Sequence, residues 1–247
     1  MTRTPPLTLN AWLRFDAIRR GLREVPGGSE VLEIGAGQGA FGARLARRYD
    51  YLGVELDEIA GQLAASRIEA AGGRLLLGDA LPLTEGRRFA AVCAFEVLEH
   101  LADDRDALAQ WVARLVPGGH LVLSVPSGSH RMGPWDAAVG HYRRYDRDHL
   151  VRLLRGVGLV DVRVTGHGFP LGYVLEAVRN RLADRAAKRT AGTPEERTAG
   201  SGRSLQPLGF GSMTWLLTLP FRVLQVPFRH SRLGTGLVAV GRLPLRD

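Results

Sequence analysis

Three glycines in five residues, Gly35-Ala36-Gly37-Gln38-Gly39, follow the apolar run Val31–Ile34 and precede a helical pattern. Glycines at a strand-to-helix turn permit a tight bend and let the backbone come close to a ligand. Gly35, Gly37 and Ala40 also satisfy the G-x-G-x-x-G/A spacing of dinucleotide sites, with Glu55 placed 20 residues beyond Gly35 where a ribose-binding acid is expected. Glu33 argues against that ligand. It sits two residues before the first glycine, where it would repel a pyrophosphate docked at the helix N-terminus. Groups that are cationic and lack phosphate would instead be attracted. A further carboxylate, Asp79 in Gly78-Asp79-Ala80, ends the third apolar run, where an adenine amino group could donate to it.

Two other stretches carry titratable groups. His141, which as a neutral imidazole would serve as a base near pH 7, is the first candidate for a general base, with His130 second; the other reading of His141 is that, with Tyr142, it pins the loop. Tyr142, Arg143, Arg144 and Tyr145 follow His141 and suit an anionic or hydroxylated substrate, or else lie solvated ahead of the next helix. Glu96, Glu99 and His100 place two carboxylates and an imidazole within five residues, a set that would ligate a divalent cation. The reading adopted is that no metal is held.

The elements that must position these groups alternate. Val31–Ile34, Tyr51–Glu55, Arg74–Leu77, Phe89–Phe95 and His120–Val125 read as strands separated by helical patterns, the signature of βαβ units and a parallel sheet. Between the fourth and fifth, Leu108, Trp111, Val112 and Leu115 repeat at helical spacing, with Asp103 and Asp104 at the start and Pro117-Gly118-Gly119 as the stop. Asp146 is placed to cap a helix carrying Leu150, Leu153 and Leu154, and Leu159–Thr165 reads as a sixth strand. A last strand returns at Leu237–Val240.

Six segments, VLEIGAGQG (31–39), GVELD (53–57), GDA (78–80), FEVLEHL (95–101), LVPGGHLVLSVPS (115–127) and GHYRRYDRDHLVRLL (140–154), resemble the class I S-adenosylmethionine-dependent methyltransferases. The resemblance covers roughly residues 30–168 and is carried by the order and spacing of all six segments. It implies an α/β, Rossmann-like doubly wound fold, with a seven-stranded, mostly parallel sheet whose last strand is antiparallel. It also implies S-adenosylmethionine as cofactor, whose α-ammonium and sulfonium suit Glu33 better than a pyrophosphate would. Glu33, Gly35, Ala36 and Gly37 would then face the methionine moiety, and Glu55 the ribose hydroxyls, with Leu56 also among the cofactor-binding residues. Asp79 and Ala80 would hold the adenine, with Phe95 and Glu96 beside the donor. A nicotinamide dehydrogenase, the other ligand class for such a loop, is opposed by Glu33 and by the later segments.

Residues 169–233 break the rhythm. An apolar and basic stretch, Leu171–Ala187, is followed by a polar segment, Arg189–Ser204, and by an apolar piece, Trp215–Phe228, that Pro220 and Pro227 interrupt. The chain therefore reads as one domain with a core over 25–168 and 234–244 and a helical cap over 169–233. The cap builds an acceptor pocket, touches a membrane surface as well, or simply packs inward, and its position after a strand end puts it over or beside the site.

Composition bounds the rest. The net charge of +8 is uneven: residues 1–168 carry 21 basic and 20 acidic side chains, residues 169–247 carry 12 and 5. Lys188 is the only lysine, so 32 of the 33 basic residues are arginine; the catalytic part is nearly neutral, which argues against a nucleic-acid partner. A single cysteine, Cys93, excludes an intramolecular disulfide, and no secretion signal or spanning segment is read, so a cytoplasmic protein with peripheral membrane association as a variant is expected. The expected activity is methyl transfer to a small acceptor, amphipathic or anionic, at an oxygen of a secondary metabolite, glycan or lipid-linked compound. An RNA or protein methyltransferase, or a donor-binding scaffold without turnover at a membrane, are the alternatives.

Overall fold

The computed structural model describes residues 5–187 and 211–245. Seven strands, β1 (Glu30–Ile34), β2 (Asp50–Glu55), β3 (Arg74–Leu77), β4 (Phe89–Phe95), β5 (Leu115–Pro126), β6 (Val160–His167) and β7 (Gly236–Arg242), form one sheet in the order β3-β2-β1-β4-β5-β7-β6. The first five run parallel, and β7 is antiparallel to both β5 and β6, as the resemblance implies. Strand order reverses between β1 and β4, which opens a crevice at the carboxyl ends of those strands.

The apolar runs are continuous because both faces of the sheet are covered. Leu32, Val92, Leu121 and Leu123 point to one side, where Leu108 and Trp111 of α5 (Asp104–Val112) and Leu150 and Leu154 of α7 (Arg147–Gly156) cover them. Val31, Ala91, Cys93 and Val122 point to the other, against Ile18 of α1 (Leu9–Gly21) and Ala64 and Ile68 of α3 (Glu58–Glu69). Helix α1 is an element that the sequence reading passes over. Thr8 caps it by accepting the Ala11 N–H at 3.2 Å, and Leu13, Ala17 and Ile18 form its buried stripe.

Four local expectations are corrected. Helix α5 ends at Val112, and Leu115 belongs to β5, paired with Phe89. Pro117-Gly118-Gly119 is no helix stop: Gly118 N–H donates to Leu243 O, and a register shift between Phe89 and Ala91 accommodates the extra residues in the strand. Asp146 stands at the N-cap of α7, but its carboxylate accepts from Ser129 N–H and Oγ instead of capping the helix. The piece after 210 is a helix that runs through Pro220, and only Pro227 lies beyond its end.

The remaining helices are α2 (Gly42–Leu45), α4 (Ala80–Leu83), α6 (Pro134–Val139), α8 (Leu171–Ala187) and α9 (Gly211–Leu224). Helices α8 and α9 fall between β6 and β7; α8 packs against α6 and α9 against α1. The polar segment Arg189–Ser204 lies outside the described residues. Among the described residues no helix is long and apolar enough to cross a membrane.

Candidate functional site

The glycine loop is held open by backbone geometry that only glycine adopts cheaply. Gly35, Gly37 and Gly39 have φ of 71°, 54° and 76°. Gly35 and Ala36 N–H both donate to Val54 O, which ties the loop to the end of β2. Glu55, at that same strand end, accepts Gly37 N–H at 2.6 Å through one oxygen and Asp57 N–H at 2.9 Å through the other. A Cβ on Gly35 would lie 2.6 Å from Val97 Cγ2 and one on Gly39 2.8 Å from Ala64 Cα, whereas one on Gly37 would meet nothing within 4 Å. The loop is thus packed at both ends and open at its middle.

The neighbouring strand ends carry the other candidates. The order β3-β2-β1-β4 sets Asp79 and Ala80, Glu55 and Leu56, the glycine loop, and Phe95 and Glu96 side by side along one edge. Asp79 is exposed and caps α4 by accepting Leu81 N–H at 3.0 Å, while Ala80 is buried. Leu56 stands 77% exposed. Ala36 and Phe95 are buried, the latter edge-on to Phe41 at 5.7 Å.

Glu33 is not at the surface. It is 2% exposed, in a slot made by its small register partners Gly53 and Cys93, and its Oε2 accepts the Tyr51 hydroxyl at 2.7 Å. Burial pushes its carboxyl up to about 8, the Tyr51 hydrogen bond opposing and the Glu55 carboxylate adding to the rise.

Past β4 the chain turns through Glu96, whose φ of 58° is unusual for a residue with a side chain. That turn lays Val97 on Gly35. Glu96 pairs with Arg14 of α1 at 2.8 Å and accepts the Ser124 hydroxyl at 3.1 Å. Burial alone would raise its carboxyl, but Arg14, His167 and His141 outweigh that and hold it low. Glu99 is fully buried, and neither of its oxygens has a hydrogen-bond partner among the described residues. Burial, with Glu96 beside it, keeps its carboxyl well above the ordinary carboxylate range. Burial and the adjacent His141 push the His100 imidazole down to about 4.

His141 joins this cluster. Its ring stands edge-on to His100 at 4.7 Å, and its Nε2 is 3.8 Å from Glu99 Oε1. Its Nδ1 is 2.7 Å from Asp136 Oδ1 on α6. Burial would raise the Asp136 carboxyl, but hydrogen bonds from His141, Arg144 and Gly133 N–H win and hold it well below the usual range. An ionised Asp136 places the proton on Nδ1 and leaves Nε2 as the acceptor. Ligand atoms of Glu99, His100 and His141 all lie within 4.8 Å of one another, so the same trio could receive a proton or hold a divalent cation. In that trio His141 takes the place that the sequence reading gave to Glu96, whose carboxylate is engaged by Arg14.

The other candidates lie elsewhere. His130 is exposed on the turn Ser129–Arg131, outside the buried cluster. Of the four residues expected to meet substrate, Tyr142 alone is exposed. Arg143 pairs with Asp104 at 2.8 Å, Arg144 is buried between Asp136 at 2.7 Å and Glu176 at 3.0 Å, and Tyr145 is fully buried with its hydroxyl on Asp104 at 3.0 Å. Arg144 and Tyr145 are committed inside the protein, and Arg143, partly exposed, is held by Asp104.

Sequence reasoning missed Arg14, Asp136 and Glu176. Two of them had a signal. Gly133-Pro134 marks a helix start that puts Asp136 in its first turn, and Glu176 is the lone acid between Phe169 and Ala183 in a stretch of apolar residues and arginines.

A family model described as a methyltransferase domain matches residues 12–164, more than half of the chain. The chain belongs to the class I S-adenosylmethionine-dependent methyltransferases. A curated relative of this chain, an uncharacterised methyltransferase of Mycobacterium sp. (strain JLS), is 36% identical over 158 residues, covering 58% of this chain and 59% of that protein. The ubiquinone biosynthesis O-methyltransferase of Alkalilimnicola ehrlichii is 29% identical over 118 residues, covering 45% and 47%. The match thus spans 59% or less of the length of these two relatives. Among solved structures, the N-methyltransferase NodS of Bradyrhizobium japonicum, in complex with S-adenosyl-L-homocysteine, aligns with a TM-score of 0.59 at 18% identity, over 96% of this chain and 89% of that one. At that identity the likeness speaks for the fold.

Proposed function

We propose that this chain transfers a methyl group from S-adenosylmethionine to an oxygen of a small acceptor, with His141 taking the hydroxyl proton. Glu33, Gly35, Ala36 and Gly37 would receive the methionine end, Glu55 the ribose hydroxyls, and Leu56, Asp79 and Ala80 the adenine, with Phe95 and Glu96 along the donor. The acceptor oxygen attacks the methyl carbon in line, the carbon–sulfur bond breaks, and its electron pair stays on sulfur to give S-adenosylhomocysteine. Positioning carries much of such a displacement. The acceptor hydroxyl proton passes to His141 Nε2.

The observation that carries this reading is the His141–Asp136 hydrogen bond of 2.7 Å within a buried cluster at the sheet edge that also bears the glycine loop. The O-methyltransferase relative supports oxygen as the acceptor atom. The apolar and arginine-bearing helices α8 and α9 favour an amphipathic or lipid-linked acceptor over a small polar one.

Tritiated S-adenosylmethionine incubated with extracted metabolites, RNA and protein tests the reading. Label is expected in a small molecule; label in RNA or protein, or no transfer at all, would replace it with the nucleic-acid, protein or scaffold alternative. His141→Ala should lower turnover about 10²- to 10⁴-fold, the span of general-base contributions, with S-adenosylhomocysteine binding unchanged. Activity lost on chelation and restored by magnesium would assign Glu99, His100 and His141 to a cation instead.

A further inference from the structure

Helix α9 is built inside out. Its inward positions are Thr214 and Thr218, followed by Gln225 just past its end, and all three are buried. Thr214 donates to Leu7 O at 3.1 Å and Thr218 to Thr214 O at 2.8 Å. Gln225 donates to Leu13 O at 3.2 Å and accepts Gly168 N–H at 3.0 Å. Arg222 adds a two-pronged ion pair to Asp16 on α1, at 2.6 and 2.8 Å. The outward positions are aliphatic: Leu216 is 64%, Leu217 59% and Val223 67% exposed, with Leu219, Leu224 and Val226 exposed beside them. An ordinary surface helix turns its apolar side to the core and its polar side to water. Here the polar contacts to α1 and to the end of β6 lock the opposite orientation, so the leucines face out by construction.

Charge says what faces them. Among the described residues Arg229 and Arg232 follow α9, Arg229 lies beside Arg20 of α1, and residues 169–247 carry 12 basic against 5 acidic side chains. An anionic surface would be drawn to that excess of arginine, whereas a second copy carrying the same excess would be repelled. Apolar anchors edged by arginine suit the boundary between headgroups and acyl chains. We propose that the outward face of α9 docks onto a lipid bilayer bearing anionic headgroups. The docking does not depend on which acceptor is methylated, so it stands or falls apart from the proposed activity.

Co-sedimentation of the full chain with phosphatidylcholine vesicles, with and without phosphatidylglycerol, tests it, using wild type and L216E/V223E. Both positions are exposed, so the double variant should keep its thermal midpoint and its S-adenosylhomocysteine affinity. Wild type should bind the anionic vesicles and lose binding as salt rises; the double variant should bind about ten-fold or more weakly, because two aliphatic contacts become charges. Absence of wild-type binding at low salt would overturn the proposal. So would equal binding of the two proteins, or a concentration-dependent dimer in sedimentation velocity that the double variant abolishes.

Discussion

Replacing Glu33 by Gln separates what this buried acid does for the fold from what it does for the donor. In the folded protein its carboxyl is pushed up to about 8, against an ordinary value of 4.5, chiefly by burial. A carboxyl raised on folding favours the native state only as the neutral acid, so stability is fully present below about 4.5 and is lost as pH climbs through 8. At about 1.4 kcal/mol per pH unit, the loss reaches about 3 kcal/mol at pH 7 and about 5 kcal/mol above pH 8. Gln mimics the neutral acid and can still accept the Tyr51 hydroxyl. E33Q should therefore be the more stable protein at pH 8 by about 3–5 kcal/mol in urea, with its stability falling less than that of wild type from pH 5 to 8. Donor binding should move the other way. In the proposed site the α-ammonium of S-adenosylhomocysteine would favour ionised Glu33, so wild type should release close to one proton on binding at pH 7, and its affinity should rise about ten-fold per pH unit below 8. Calorimetry in buffers of different ionisation enthalpy reads that proton; E33Q should release none and bind more weakly. Wild-type binding without proton release, or an E33Q stability as dependent on pH as wild type, would refute the reasoning.

Gly37→Ala and Gly39→Ala should fail in opposite ways. At Gly37 the added Cβ meets nothing, so stability should fall only by the left-handed strain of about 1–2 kcal/mol, while S-adenosylhomocysteine affinity drops at least about ten-fold. At Gly39 the Cβ runs into the α3 backbone at Ala64, so unfolding should come about 2–5 kcal/mol sooner. Asp136→Asn leaves buried Arg144 short of a partner and should cost about 3–5 kcal/mol in denaturant unfolding. It should also remove the acid-range loss of stability that the low-titrating Asp136 carboxyl gives wild type; a cost below about 1 kcal/mol would show that Glu176 alone holds Arg144.

The strands were legible because burial on both faces writes them as unbroken apolar runs, and the glycine loop because its φ values demand that residue type. Glu33 was legible as an acid near the loop but not as a buried one. Its slot depends on Gly53, Cys93 and Tyr51, which only the sheet register brings together. His141 stood out by residue type, while its partner Asp136 did not, since an acid five residues away is ordinary until α6 turns it inward. Arg144 and Tyr145 share their window with exposed Tyr142, and the bridge between Ser127 and Tyr145 is what turns that segment into the interior. Helix α1 carries no glycine loop or acid pair to announce it, and its place comes from packing on β5, β6, β7 and α9.

Calorimetry of the full chain with S-adenosylhomocysteine and, separately, with NAD tests the central claim most directly, that the loop Gly35–Gly39 and the acids around it form a methyl-donor site. Saturable binding of S-adenosylhomocysteine, weakened in Gly37→Ala, with no heat from NAD, is the predicted result. Binding of NAD without S-adenosylhomocysteine, or S-adenosylhomocysteine binding untouched by Gly37→Ala, would contradict it.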